Sequence, residues 1–272
     1  MARMSLFIGA AFLLGLTGAF VDIARPTRWT NTRRSMAWGD DIVFGESTIV
    51  SNKPACGGGL RSITVETSGD VFDPYTIPGQ YIQIKQNLEP ETKAGFYAIA
   101  SPPRPGSKQA ELLIKQTDSN VWFCEAAVGD VVPTSPAMGK GFDMDGLSDD
   151  IDTVLLFAAG TGIAPIRAAI ESGKLAGKSC TLYYGSRRAA TMAYDQLFKT
   201  WEAEYGVKVV PVLSQGGLKS RQGYVQKALA EDGVGSPKTT AAILCGMKGM
   251  AEGVKAVLAD AGVPEDKVLL NF

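Results

Sequence analysis

One stretch constrains this chain more than any other. Residues 153–158 (TVLLFA) form an unbroken apolar run that leads directly into Gly160-Thr161-Gly162-Ile163-Ala164-Pro165. Such a run reads as a strand covered on both faces, which is the habit of parallel sheets. The glycines mark a tight strand-to-helix turn. Pro165 is tolerated in the first helical turn, where its missing N–H would be unpaired anyway. The same rhythm repeats downstream, with strands expected at 179–184, 207–213, 241–245 and 267–270 and helices at 163–171, 189–205, 224–230 and 250–261. Strands alternating with helices predict an α/β doubly wound parallel sheet over 151–272. Pro211 inside the third strand points to a sheet edge or a local bend.

The preceding hundred residues follow another rule. Between 42 and 146, short strands are expected at 62–67, 81–84, 98–101, 111–116 and 130–133. They are punctuated by Pro78-Gly79, Pro102-Pro103, Pro105-Gly106 and Gly129-Asp130. Tyr81-Ile82-Gln83-Ile84 alternates polar and apolar, and the turn signals recur at the spacing of a small antiparallel β-barrel. Residues 139–150 (GKGFDMDGLSDD) are polar and read as the linker between the two parts.

Composition removes several classes of chemistry. The 272 residues include no histidine, so Ser-His-Asp and Cys-His nucleophile systems, imidazole metal sites and His-ligated haem are excluded. Cys56, Cys124, Cys180 and Cys245 form no CxxC pair, which leaves no basis for a zinc ribbon or an iron–sulfur run. A net charge of −1 carries no nucleic-acid footprint.

The first 38 residues read as a targeting segment. Arg3 precedes an apolar stretch at 6–16 (LFIGAAFLLGL), followed by the small residues Thr17-Gly18-Ala19. This is shorter than the roughly 20 apolar residues of a membrane span and suits a signal peptide. From Phe20 the chain is rich in Arg and hydroxyl residues, with Arg25, Arg28, Arg33 and Arg34 against Asp22 alone. That order resembles the bipartite presequence of algae whose plastids derive from a red-lineage secondary endosymbiont. It implies a plastid location, in the stroma or at the thylakoid, and no transmembrane segment in the mature chain. A secreted protein with a basic linker and a retained membrane anchor are the other readings. The segment carries +4, leaving −5 on the remainder.

Three glycine-bearing turns fall on one sheet edge. Gly160-Thr161-Gly162 ends the first parallel strand, Tyr184-Gly185-Ser186-Arg187-Arg188 the second, and Cys245-Gly246-Met247 the fourth. Ligands of open parallel sheets bind along the carboxyl edge. There glycine lets the backbone approach a pyrophosphate, and a helix N-terminus supplies free N–H groups and a positive dipole end.

These turns, together with Pro78-Gly79-Gln80-Tyr81 and Phe96-Tyr97-Ala98-Ile99-Ala100-Ser101, occur in an order that resembles the ferredoxin–NADP reductase superfamily, in its plant and algal reductase-like branch. The resemblance covers nearly everything after residue 45. It implies an antiparallel flavin-binding barrel followed by a nicotinamide-nucleotide domain, with FAD and NADP or NAD as cofactors. Gly160, Thr161, Gly162 and Pro165 would then belong to the pyrophosphate site, and Cys245, Gly246 and Met247 to the nicotinamide end. Cys245 reads equally as a small buried apolar residue. Ser214 and the run Arg221-Gln222-Gly223-Tyr224 resemble the adenosine site, where Tyr224 would stack on adenine. Ser186, Arg187, Lys219 and Arg221 are candidates for a 2′-phosphate, since cations pair well with that dianion.

The flavin motif departs from the family pattern Arg-x-Tyr-Ser/Thr. Gly95 stands where the arginine belongs and Ala98 where the hydroxyl belongs. Losing the arginine removes a charge-assisted contact of about 1.5–3 kcal/mol, a tenfold to roughly hundredfold change in affinity. Lys115 is a candidate replacement. Tyr97 would lie against the flavin ring beside Ala98, Ile99 and Ser101. Ser119 and Asn120 would present a phosphate site at the head of a short helix expected at 121–127. Phe272, the last residue, would cover the flavin's nicotinamide side or simply close the last strand.

The resulting expectation is a flavin-dependent oxidoreductase that passes reducing equivalents between NAD(P)H and an electron-carrier protein or small-molecule acceptor. With −5 on the remainder and few basic clusters in the barrel, an acidic ferredoxin is poorly supported as that carrier. Gly95 and Ala98 favour the alternative, a catalytically weak relative that acts as a nucleotide-binding or assembly subunit.

Overall fold

The computed structural model describes residues 42–67, 69–147, 149–216 and 221–271, so the expected targeting segment, Lys219 and Phe272 lie outside the described residues. Six antiparallel strands come first: β1 (Gly45–Cys56), β2 (Leu60–Thr67), β3 (Tyr81–Ile84), β4 (Gly95–Ala98), β5 (Gln109–Lys115) and β6 (Val131–Thr134), with the short helix α1 (Val121–Cys124) between the last two. Their order is β4-β3-β6-β1-β2-β5. The two edges meet where Ile99 bridges to Leu112 and the Ala100 N–H donates to the Glu111 carbonyl at 2.7 Å. This closes the sheet on itself and leaves few exposed edges.

The barrel interior is filled by Ile49, Ile63, Val65, Ile82, Ile84, Tyr97, Ile99, Leu112 and Ile114, and Phe123 of α1 enters from one end. β-Branched side chains suit this pleated, enclosed surface. The longest strand, β1, is absent from the sequence expectation. Register shifts after Ile49 and after Pro54 break its period-two pattern, as bulges do. The expected strand at 98–101 is displaced, because β4 runs Gly95–Ala98 and the residues after it make the bridge to β5. α1 is one turn long, shorter than expected.

The second sheet is wholly parallel. It comprises β7 (Thr153–Ala159), β8 (Ser179–Ser186), β9 (Val207–Leu213), β10 (Arg221–Gln222), β11 (Thr240–Cys245) and β12 (Val268–Leu270), in the order β10-β9-β8-β7-β11-β12. Alternate residues of β7 face opposite layers. Val154, Leu156 and Ala158 pack with α2 (Ile163–Glu171) and α3 (Phe198–Tyr205). Leu155 and Phe157 pack with α4 (Val225–Asp232) and α5 (Lys248–Asp260). A strand covered on both faces has no position for a polar side chain, which accounts for its unbroken apolar run.

The long helix expected at 189–205 is interrupted. Two short 3-10 turns, Ala189–Thr191 and Asp195–Leu197, precede α3. Between them Tyr194 has φ 62°, the one left-handed non-glycine residue among those described. Pro211 pairs with Tyr184 on the β8 side. On its other side β10 reaches only Val212 and Leu213, so the missing N–H lies where the sheet ends.

Barrel and parallel sheet share one core. Leu60, Ala100 and Leu113 of the barrel belong to the same buried cluster as Leu156, Ile163 and Ile166. The Gly57 N–H, at the tip of the β1–β2 hairpin, donates to the Ala190 carbonyl at 2.7 Å. At the other side, Asn271 Nδ2 donates to the Gly79 carbonyl at 3.2 Å, which ties the chain after β12 to the start of β3.

The tightest point is Gly162. A Cβ there would lie 2.6 Å from the Cys245 carbonyl carbon and 3.0 Å from the Gly246 nitrogen. Both are backbone atoms of the neighbouring strand end and cannot rotate away. Gly162→Ala is therefore expected to destabilise the fold by about 1–3 kcal/mol, the usual cost of overpacking, read as a lower urea midpoint with an unchanged denaturant slope.

Candidate functional site

Strand order places the site. β7 lies between β8 and β11, so chain progression reverses between β7 and β11. Helices α2 and α5 leave this point on opposite faces of the sheet, which opens a crevice beyond the strand ends. The two strand ends that border it carry Gly160-Thr161-Gly162 and Cys245-Gly246-Met247. Gly160 has φ 56°, and a Cβ added there would meet nothing within 4 Å, so the loop faces open space. Gly160–Gly162 form a 3-10 turn that runs without break into α2, with Pro165 buried in the first helical turn. Thr161 is partly exposed at this head. The turn is held from below by Tyr184, which is fully buried and whose hydroxyl donates to the Gly160 carbonyl at 3.3 Å.

Gly246 is confined as well. A Cβ there would lie 2.9 Å from the end of the Met250 side chain and 3.1 Å from Ala159 Cβ. Met247 caps α5 and is 70% exposed. Cys245 is partly exposed, yet burial pushes its thiol up to about 12. It is a protonated thiol at neutral pH and contributes shape rather than a nucleophile.

The adenosine candidates gather beside the second and third strand ends. The Ser214 N–H donates to the Ser186 carbonyl at 3.0 Å and the Gln215 N–H to the Arg187 carbonyl at 2.8 Å, joining the turns after β8 and β9. Ser186 Oγ lies 2.9 Å from Thr191 Oγ1, so its hydroxyl serves the following turn. Arg187 is exposed and has no carboxylate partner among the described residues. Tyr224 caps α4 with 63% of its surface exposed, a free aromatic face at the same edge. Arg221 is engaged elsewhere. It bonds Glu231 at 2.9 Å and Asp232 at 2.5 Å, and Tyr183 donates to the same Asp232 oxygen at 2.8 Å. The Arg221 hydrogen bond holds the Asp232 carboxyl below its ordinary range. The structure thus brings Ser186, Arg187, Ser214 and Tyr224 to one edge and turns the Arg221 guanidinium into an ion triad with α4.

On the barrel, residues 95–98 divide by strand alternation. Tyr97 pairs across from Ile82, which is completely buried, so both face the interior. Its ring lies 5.4 Å from that of Phe123, and burial pushes its hydroxyl up to about 12. The ring also fills the space above Gly95, where a Cβ would sit 2.7 Å from two of its carbons. No larger side chain fits at position 95 while Tyr97 lies there. Phe96 points outward, 58% exposed, with its ring 5.7 Å from that of Tyr81. Ala98 pairs with Tyr81 on the same outward face. The two rings are tilted by 47°, so they offer an exposed aromatic patch rather than one plane, and position 95 supplies no cation for an attached pyrophosphate.

The neighbouring polar candidates have structural partners. Asn120 Oδ1 accepts the Thr117 N–H at 2.8 Å, and Asn120 Nδ2 donates to the Lys115 carbonyl at 3.1 Å, bracing the turn before α1. Ser119 Oγ lies 3.1 Å from Thr117 Oγ1. Lys115 is exposed and forms no ion pair among the described residues. Ile99 is fully buried, and Ser101 Oγ accepts the Glu111 N–H at 3.1 Å.

Sequence reading misses Phe96 and Arg167. The alternation of Ile82 and Ile84 is the signal for Phe96, since a residue opposite Gln83 must face outward. For Arg167 the signal is a lone charge in the otherwise apolar run 163–170. Among the described residues no cluster of acids or cysteines could hold a metal ion. No helix among them is long and apolar enough to cross a membrane.

Comparison with known proteins supplies a family. The model of the oxidoreductase NAD-binding domain matches residues 156–256, from β7 into α5. A fruit protein of Actinidia deliciosa, pKIWI502, is 36% identical over 249 residues, which cover 85% of this chain and 78% of that protein. Among solved structures, the CS-b5R domains of human Ncb5or in the NAD+ form superpose with a TM-score of 0.73 at 16% identity, over 86% of this chain and 71% of that one. A ferredoxin NADP+ reductase from Neisseria gonorrhoeae with bound FAD and NADP gives 0.71 at 15% identity, over 84% and 97%.

The thiols provide a check on this geometry. Cys124 and Cys180 are buried, and burial raises the thiols of Cys56 and Cys245. In native protein at pH 8, iodoacetamide is expected to label Cys245 at least about tenfold more slowly than in guanidinium, where the ordinary thiol value returns. Peptide mass mapping reads the outcome, and rapid native labelling of Cys245 contradicts it.

Proposed function

The chain belongs to the ferredoxin–NADP reductase superfamily, and from that premise we propose that it is a flavin-dependent NAD(P)H oxidoreductase. The carrying observation is the reversal of strand order between β7 and β11, where two glycine turns meet in backbone contact and β5 of the barrel lies against the Gly160–Gly162 turn. Such an arrangement lets two cofactors meet, one on each sheet. FAD and a nicotinamide nucleotide are the pair whose chemistry fits.

Each part then has a task. The Gly160–Gly162 turn and the head of α2 hold the nucleotide's pyrophosphate through backbone N–H groups and the helix dipole. Tyr224 stacks on the adenine. Arg187 takes a 2′-phosphate, because the neighbouring Arg221 is already neutralised by Glu231 and Asp232. Cys245 and Gly246 present backbone beside the nicotinamide, with the thiol filling space. The aromatic face of Phe96 and Tyr81 supports the flavin ring, and Lys115 is the exposed cation available to its phosphates. When bound, the flavin supplies the conversion of a hydride's electron pair into single-electron steps. Ala98 would offer a bound flavin no side-chain hydroxyl, only backbone and a methyl group.

The electrons leave to a separate carrier protein or small-molecule acceptor. The apolar and then Arg-rich composition of residues 1–38 supports delivery to a plastid.

The test is an absorbance spectrum of the FAD-incubated protein without oxygen, before and after NADPH and then NADH. A flavin spectrum that bleaches supports the reading; a protein that takes up no flavin leaves a nucleotide-binding subunit. Gly160→Asp should abolish reduction while the thermal midpoint stays within about 2 °C, because Asp tolerates left-handed φ and the space there is open. Arg187→Ala should raise KM for NADPH about tenfold and leave KM for NADH within about twofold, as expected for loss of one charge-assisted contact.

A further inference from the structure

One charged side chain is held at the junction of barrel and parallel sheet. Arg167 projects from α2, one turn beyond the glycine loop, and only 14% of its side chain is exposed. Its NH1 nitrogen bonds Glu111 of β5, and its Nε donates to Glu171 at 3.0 Å. Its guanidinium carbon lies 4.9 Å from the centre of the Tyr194 ring. Glu171 also accepts from Trp201 Nε1 at 3.0 Å, and Trp201 is fully buried. α2, β5 and the turn at Tyr194 therefore meet at one guanidinium, and α3 joins them through Glu171.

Both sides of this junction lead to a proposed cofactor face. Glu111 pairs through its backbone with the segment after β4. Its carbonyl accepts from Ala100 N–H and its own N–H donates to Ser101 Oγ. The Ser101 carbonyl accepts from Tyr75 Oη at 2.6 Å. On the other side, Tyr194 follows Ala193, whose N–H donates to Tyr184 Oη at 3.1 Å, and that hydroxyl bonds the Gly160 carbonyl. Tyr194 is the residue with φ 62°, buried with its ring against the Arg167 guanidinium. A left-handed backbone at a bulky aromatic residue persists only where the surroundings over-determine it.

We propose that Arg167 is a positioning residue for hydride transfer, coupling the glycine loop at the head of α2 to the β4 segment of the barrel through Glu111 and Tyr194. This rests on the oxidoreductase reading, in which the two faces must meet within reacting distance. Only arginine satisfies the geometry, because two fork nitrogens reach separate carboxylates while the planar face lies on an aromatic ring. Burial alone would lower its pKa, but the bonds to Glu171 and Glu111 outweigh it and keep the group charged.

The test uses the full, FAD-incubated chain carrying Arg167→Lys and, separately, Glu111→Gln, which retains an oxygen acceptor at a half-exposed position and is the milder change. Hydrogen exchange is followed in the peptides spanning 98–101 and 158–166, and flavin reduction by NADPH and NADH is timed without oxygen. In each variant both peptides should exchange several-fold faster together. Reduction at saturating nucleotide should slow about tenfold, with flavin retained and nucleotide Kd within about threefold, since small misplacements of reacting groups cost rate rather than binding. Faster exchange in one peptide alone, an unchanged reduction rate, or a loss explained by weaker binding overturns the proposal. A wild-type protein that neither nucleotide reduces removes the oxidoreductase reading itself and the positioning role with it, and is told apart because the failure precedes any substitution.

Discussion

The structure depends on how closely two parallel strands approach at their carboxyl ends. Gly162 lies over the Cys245 carbonyl at a separation that leaves no room for a methyl group. Because β7 and β11 meet there, α2 and α5 can depart to opposite faces and leave a crevice between them. Tyr184 holds the loop from beneath with its buried hydroxyl. Gly160, by contrast, has open space around it. The two glycines of one short motif thus serve different physical ends, one permitting contact between backbones and the other leaving a surface free.

The barrel shows a related exchange of side-chain volume. Where the family pattern has arginine, this chain has Gly95, and the ring of Tyr97 occupies the room that the larger side chain would need. The Tyr97 ring gains burial against Phe123 and loses exposure to any ligand on the outer face. Phe96 then becomes the aromatic residue presented outward, beside Tyr81. Substitution at one position of a strand has consequences two residues away on the same face, since alternation places both side chains over one patch.

Electrostatics follows the same logic of pairing. Among the described residues Arg167 is largely buried and Arg221 partly exposed, and each shares its charge with two carboxylates. Arg167 is bound by Glu111 and Glu171, and Arg221 by Glu231 and Asp232. A guanidinium largely removed from water is tolerable only with such partners, since an unpaired buried charge is strongly unfavourable. The paired arginines shape the protein, whereas Arg187 and Arg188 are exposed at the strand ends with no carboxylate partner among the described residues.

The parallel sheet is legible in the residues alone, because a strand buried on both faces must be apolar throughout and its helices must carry an apolar stripe. The span 163–171 coincides with α2 for that reason. The three glycine turns on one edge are legible too, since each follows the end of a parallel strand. Tertiary structure decided what local pattern cannot encode. The bulges in β1 hide its alternation, and the left-handed Tyr194 breaks a stretch with helical periodicity. Register with Ile82 turned Tyr97 inward and Phe96 outward. Arg221 appears in sequence as a free cation, and only folding brings Glu231 and Asp232 against it. Those outcomes depend on partners distant along the chain or across a strand pair, whereas periodicity and turn chemistry report only a residue's immediate neighbours.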